Sequence, residues 1–169
     1  KYYSAKEVVL PFAKFSGQDT VLGPEMKSTG EVMGIDPDLG LALAKAELAA
    51  GEQLPLSGTA FLSVIDRDKN DQFVQIAAQL KDMGFSILST KGTAAFLRKQ
   101  NIEVEEVLKV RQGSPNVVDA ITKREISMVV NTPSGKWPQV DDFYIRQAAL
   151  RHKVYCTTTL AGATAAVKG

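Results

Sequence analysis

The sequence has one cysteine, Cys156, and one histidine, His152. A lone thiol cannot close an internal disulfide, so a disulfide-stapled framework is excluded and a reducing compartment is expected. One His and one Cys also leave too few soft ligands for a His/Cys metal centre, and no metal site is expected. No apolar run approaches the ~20 residues that span a bilayer, so no membrane-crossing helix is expected. Neither sign of charge dominates: 20 Lys+Arg face 19 Asp+Glu, a net charge of +1. That balance gives no footing for nucleic acid or an anionic membrane surface as partner. Walker A and Rossmann glycine fingerprints are both missing, which removes the usual NTPase and dinucleotide sites. An initiator Met and a signal peptide are missing too, and the chain is expected to be a piece of a longer one.

What remains is ordinary for a globular domain: 169 residues, 44% hydrophobic and 23% charged, enough for one full core with a small appendage. The first 35 residues differ from the rest. Glu7–Phe12 reads as a short strand, Ser16 to Pro24 as turns, and Thr29–Ile35 as a second short strand. Two short strands do not fold alone, so residues 1–35 are expected to be the tail of a preceding domain. Asp36-Pro37 fits the N-cap and first position of a helix whose Leu39, Leu43, Ala46 and Ala50 share a face and which Gly51 ends. Residues 36–58 then form a connecting helix and linker.

From Thr59 the pattern is regular. Strands are expected at Ala60–Ile65, 85–89, Val104–Val110, Ile126–Val130 and Lys153–Cys156. Between them lie helical stripes: Phe73, Ile76, Ala77, Leu80 and Met83; Phe96 and Leu97; Val117, Val118 and Ile121 after Ser114-Pro115; Ile145, Ala148 and Ala149 after Asp141-Asp142. A last short helix follows Leu160. Alternating strands and helices predict an α/β fold over residues 59–169, an open parallel five-stranded sheet with helices on both faces.

Ligands of such sheets bind outside the carboxyl ends of the strands. Those ends here carry Asp66–Asn70 with Lys69, then Thr90–Thr93, Lys109–Ser114, Asn131–Gly135 and Thr157–Thr159. Two lysines, many hydroxyls, an amide and several glycines suit a phosphorylated or carboxylated small molecule. Acid–base catalysis finds no His there and few carboxylates. Each element also has an ordinary reading. Ser89-Thr90-Lys91-Gly92-Thr93 fits a capped helix start, Lys69 and Lys109 fit solvated lysines, and Asn131–Gly135 fits a turn. Cys156 fits a small core residue, His152 complements a helix C-terminus, and Trp137 could cover the rim or pack into it. What favours an anion site is the meeting of separate loops on one edge.

Two blocks carry a resemblance. Lys6-Glu7-Val8-Val9-Leu10-Pro11-Phe12 and Gly23-Pro24-Glu25-Met26-Lys27-Ser28-Thr29-Gly30-Glu31-Val32-Met33-Gly34 closely resemble the end of the second ATP-grasp half of carbamoyl-phosphate synthase large subunits. The remainder resembles that subunit's C-terminal allosteric domain, which has the methylglyoxal-synthase-like fold. The resemblance implies a regulatory rather than catalytic segment that binds nucleotide monophosphates such as UMP and IMP. Effector phosphate would then fall on Lys69, Thr90, Gly92, Thr93 and Lys109, and the nucleoside on Asn131, Thr132 and Asp141. Glu7 and Thr158 match positions of an ornithine site at the junction with the ATP-grasp half, although Cys156 stands where a tyrosine is expected. The parent's synthesis of carbamoyl phosphate, for pyrimidine and arginine biosynthesis, would use ATP with Mg and K ions outside this chain. Implied partners are the ATP-grasp domains of the same subunit and a glutaminase small subunit, in the cytoplasm or a plastid stroma. Lys109 stands where relatives controlled by N-acetylglutamate carry Trp, which argues against that effector.

Two other classes are weighed against this one. Methylglyoxal synthase, a lyase of the same fold, has a catalytic Asp that would fall near Ser114-Pro115 and a His between Asn131 and Asp141; neither is in the sequence. Without a base, phosphate binding cannot become elimination. A pure interaction module would bind no nucleotide at all.

Overall fold

Near-continuous apolar runs are what strands covered on both faces require, and the runs at 60–62 and 128–130, buried throughout, meet that demand. The computed structural model describes residues 1–10, 28–133 and 140–169. The expected turns at Ser16–Pro24, the end of the first strand at Pro11-Phe12, Gly23–Lys27 of the resemblance, Ser134-Gly135 and Trp137 lie outside the described residues.

The N-terminal unit is an antiparallel pair, β1 (Tyr3–Val9) and β2 (Gly30–Asp36), in register from Tyr3↔Asp36 to Val9↔Gly30. It packs on helix α1 (Leu39–Ala50). Close approach depends on Gly34, where any Cβ would overlap the Ala42 carbonyl oxygen on α1. The helix starts two residues later than the Asp36-Pro37 signal suggests. Asp36 is the last ladder residue of β2, its carboxylate accepting from Asp38 N–H (2.9 Å) and from Lys45 Nζ (2.6 Å), while Asp38 caps the helix through Leu41 N–H (3.0 Å). Gly51, at φ 93°, closes it in the left-handed conformation that glycine adopts without strain. Ala42 and Ala46 are buried, whereas Leu39, expected inward, is exposed.

The sheet is fully parallel, in the order β5-β4-β3-β6-β7: β3 (Thr59–Ser63), β4 (Ser86–Ser89), β5 (Glu105–Glu106), β6 (Met128–Asn131) and β7 (Tyr155–Thr157). On one face, Ala60, Leu62, Ile87 and Val130 meet α2 (Asp71–Asp82), α3 (Lys91–Lys99) and α6 (Leu160–Lys168) through Phe73, Ile76, Leu80, Leu97 and Ala163. On the other, Phe61 and Val129 meet α4 (Val117–Thr122) and α5 (Val140–His152) through Val117, Ile121, Ile145 and Ala149. Burial of Phe61 alone contributes about 2–3 kcal/mol. Cys156 is partly buried against this second cluster, and His152 stands in the last turn of α5.

Two expected elements differ. The strand expected at Val104–Val110 shrinks to Glu105–Glu106, because Lys109 N–H turns back to Gln112 Oε1 (3.0 Å) at a 3-10 turn, Val110–Gln112. Helix α4 begins after Asn116, not at Ser114-Pro115, since Asn116 Oδ1 accepts from Val118 N–H at 2.9 Å. The sheet order places the topological switch between β3 and β6. The chain runs outward from β3 through β4 to β5, then returns to β6 and β7, opening a crevice at the carboxyl ends.

Candidate functional site

Three hydroxyls, two from the start of α3 and one from past β6, converge on the end of β3. Thr93, on the first turn of α3, accepts from Val64 N–H (3.4 Å), and Thr132, just past β6, accepts from Ile65 N–H (3.1 Å). Thr90 Oγ1 lies 3.5 Å from Ser63 Oγ. Thr90, Thr93 and Thr132 are all buried. Burial without partners would cost each hydroxyl roughly 1–3 kcal/mol, so these bonds fix the rim.

Thr90 occupies the N-cap position of α3 but makes no capping hydrogen bond. Asp38, Asn70, Asn116 and Thr159 do cap their helices through their side chains. The ordinary capping reading of the Thr90–Thr93 turn therefore fails. The first amides of α3, at Lys91 and Gly92, have no acceptor one turn back within the helix, as at the start of any helix. Over this end lies Lys69. Its Nζ is 2.7 Å from Asp66 Oδ1 and 3.6 Å from where a Gly92 Cβ would sit. The Lys69 side chain is only 18% exposed, while that of Asp66 is 96% exposed. Lys69 is not a freely solvated lysine, and its charge adds to the positive end of the α3 dipole. In return, the hydrogen bond from Lys69 holds the Asp66 carboxyl below its ordinary range.

Lys109 reaches the same edge along the backbone. Val107 N–H continues the β4 pairing to Ser89 O (3.0 Å), and Lys109 follows two residues on. Its side chain is exposed. The next turn is tied to α5, with Arg111 Nε 3.5 Å from Asp141 Oδ1. That distance is an ion pair without hydrogen-bond alignment, since Asp141 Oδ1 is buried without a hydrogen-bond partner.

Asn131 is fully buried at the end of β6. Its Oδ1 accepts from Arg146 (3.0 Å), and its Nδ2 donates to Asp142 Oδ1 (3.1 Å). Arg146, itself fully buried, is the residue that sequence reasoning missed, together with Ser63 and Arg111. Its signal was spacing: Asp142, Ile145, Arg146 and Ala149 share one helical stripe, so a charge stands among core positions.

Glu7 lies elsewhere, on β1 of the N-terminal unit. Glu7 faces Glu47 on α1, whose Oε1 accepts from Tyr155 OH at 3.4 Å. Burial first, then the charges of Glu7 and Glu52, push the Glu47 carboxyl up to about 7. Burial and Glu7 raise Glu52 as well, and burial and Glu47 raise Tyr155. Thr158 follows Tyr155 by three residues, half-buried just past the end of β7.

A groove of about 870 Å³ lies away from this rim, lined by Leu88, Val107, Pro115 and Ala120 among others. Lys69, Thr90, Thr93 and Thr132 do not line it, and its lysines alternate with Glu105, Glu106 and Asp119. It lacks a converging donor set, so the strand ends are the better anion site. Among the described residues, no helix is long and apolar enough to cross a membrane.

Comparison with known proteins agrees with the fold. The family model described as the MGS-like domain matches residues 72–158. Carbamoyl phosphate synthase large chain of Archaeoglobus fulgidus is 53% identical over 168 residues, covering 99% of this chain and 16% of that protein. The C-terminal section of the Methanopyrus kandleri large chain is 54% identical over 166 residues, covering 98% of this chain and 30% of that protein. The Nostoc large chain is 51% identical, covering 98% of this chain and 15% of that protein. The chain thus spans a minor part of the curated relatives it matches. With a parallel five-stranded sheet and these likenesses, the chain belongs to the MGS-like domain family, in the form found in carbamoyl phosphate synthase large chains.

Proposed function

We propose that this chain is a regulatory domain whose strand-end site binds nucleoside monophosphates, UMP or IMP, and controls carbamoyl phosphate synthesis by the polypeptide that carries it. One observation carries the reading: Asp66 holds the Lys69 ammonium over the α3 N-terminus at Gly92, beside Thr90 and Thr93. A cation, unpaired amides and hydroxyls around one point suit a phosphate dianion. Lys109 approaches from the β5 side as a second cation. The nucleoside extends toward Thr132, Asn131 and Asp141.

Proton abstraction is poorly served at this point. Asp66, the carboxylate nearest Lys69, is held ionised and is a weak base. At the position where a lyase would place its Asp, Ser114 Oγ donates to Asp119. Regulation then requires the effector to bind two states of the parent enzyme unequally, with a coupling of about 1–3 kcal/mol. The route to the ATP-using part runs through residues 1–58, which continue toward it in sequence.

The crowded carboxylates of Glu7, Glu47 and Glu52 favour a second effector reading on the other side of the molecule. A cationic amine such as ornithine would relieve their mutual repulsion.

A thermal-shift screen with UMP, IMP and ornithine tests these readings. At 100 times its Kd, a nucleotide should raise the midpoint by about 5–10 °C. Lys69→Ala should abolish most of that rise. No shift with either nucleotide at millimolar concentration would favour a pure interaction module, and turnover of dihydroxyacetone phosphate would restore the lyase.

A further inference from the structure

Arg146 places a fully buried guanidinium in the apolar stripe that α5 turns to the sheet. A hydrophobic side chain of similar size is often no less stable at such a position, so packing does not account for it. Its contacts do. Asn131 is clamped between Arg146, at 3.0 Å, and Asp142, at 3.1 Å, two residues one turn apart on the same helix. A guanidinium only donates and a carboxylate only accepts. The side-chain oxygen of Asn131 must therefore face Arg146 and its nitrogen must face Asp142. A flipped amide would set donor against donor and acceptor against acceptor.

The clamp joins the end of β6 to the first turn of α5. Thr132 follows Asn131 directly, fixed to β3 by its N–H to Ser63 O (3.1 Å) and its hydroxyl to Ile65 N–H (3.1 Å). Asp141 precedes Asp142 directly and is paired across to Arg111. The Asn131 clamp thus ties the strand end that carries Thr132 to the helix turn that carries Asp141.

We infer that Arg146 is a positioning residue of this site, which orients the Asn131 amide between α5 and β6 and thereby sets the spacing of Thr132 and Asp141 that a nucleoside must fit. The inference rests on the nucleotide reading for its ligand, but the clamp itself is measurable without one.

The test uses the full chain with Arg146→Gln and Arg146→Met, the Gln variant retaining a donor in case Met does not fold. UMP and IMP carry a nucleoside, and ribose 5-phosphate carries the phosphate alone with its sugar. Either variant should weaken the nucleotide that binds wild type by tenfold or more, while ribose 5-phosphate affinity changes less than twofold. Equal weakening of both ligands overturns the inference, as does no weakening. Asn131→Asp should lose nucleotide affinity through repulsion with Asp142, and adding Asp142→Asn should recover it to within about threefold of wild type. Failure to recover overturns the inference. Without ligand, the Asn131 side-chain amide protons should exchange slowly in wild type and lose that protection in Arg146→Gln. Unchanged exchange overturns the clamp. A wild-type chain that binds neither nucleotide overturns the nucleotide reading and leaves the clamp to be decided by the exchange measurement.

Discussion

Replacing Glu47 by Gln should change how stability depends on pH. The folded chain holds this carboxyl near 7, against 4.5 for the free group, chiefly because burial disfavours the anion and because Glu7 and Glu52 repel it. The native state then binds the proton more tightly than the unfolded chain. Below pH 4.5 both states are protonated and the group is neutral in its effect. Between pH 4.5 and about 7 the unfolded chain ionises first, so stability falls across that window and levels off above it. A shift of 2.5 units (7 − 4.5) corresponds to about 3 kcal/mol. Glu47 is only half-buried, and solvent screening reduces this to about 1–2 kcal/mol. Gln keeps an oxygen that can accept from Tyr155 OH and removes the charge. Urea unfolding at pH 4.5, 6 and 7.5 measures the outcome. Glu47→Gln should match wild type at the lowest pH and exceed it by about 1–2 kcal/mol at the highest. A smaller slope should survive from Glu52, whose carboxyl is raised as well. A variant with the wild-type slope, or one less stable at pH 7.5, would refute the reasoning.

Gly34→Ala should force β2 away from α1, because its Cβ would overlap the Ala42 carbonyl oxygen, and should cost about 1–3 kcal/mol in urea unfolding. Asn70→Ala removes the side-chain acceptor for Phe73 N–H (3.2 Å) at the start of α2; a loss of about 1 kcal/mol should lower the melting midpoint by about 2–4 °C. Lys69→Ala should hardly alter the midpoint, since its partner Asp66 is exposed, yet should weaken phosphate-ester binding about 10–100-fold in a titration. Lys109→Ala should weaken the same binding and leave the midpoint nearly unchanged, because its side chain is exposed.

The sheet and its helix pairing were legible because strands β3 and β6 are covered on both faces and read as unbroken apolar runs, while α2 shows its stripe of Phe73, Ile76, Ala77 and Leu80. Boundaries failed where two local signals competed. Asp36-Pro37 satisfies the rule for a helix start, yet β2 claims Asp36 for its ladder with Tyr3, and Asp38 takes over the cap. Val104–Val110 has strand-forming residues, but it lies at the sheet edge, where pairing on one side only does not hold the backbone extended past Glu106. At the site, the hydroxyl and lysine types were readable from the strand ends. Two features were not. The fold-back of Lys69 onto Gly92 depends on a distance between loops 23 residues apart in sequence. A charged residue such as Arg146 reads as solvated until its partners, Asn131 and Asp142, are seen beside it.

The most direct test of the account follows the backbone amides of Lys91 and Gly92 by NMR while UMP or IMP is added to the chain. Anion binding at the α3 N-terminus should move both amides saturably, with Gly92 among the largest changes, and Lys69→Ala should remove the response at the same concentrations. Still amides at Lys91 and Gly92 while others lining the groove beneath β4 and β5 move, or an undiminished response in Lys69→Ala, would contradict it.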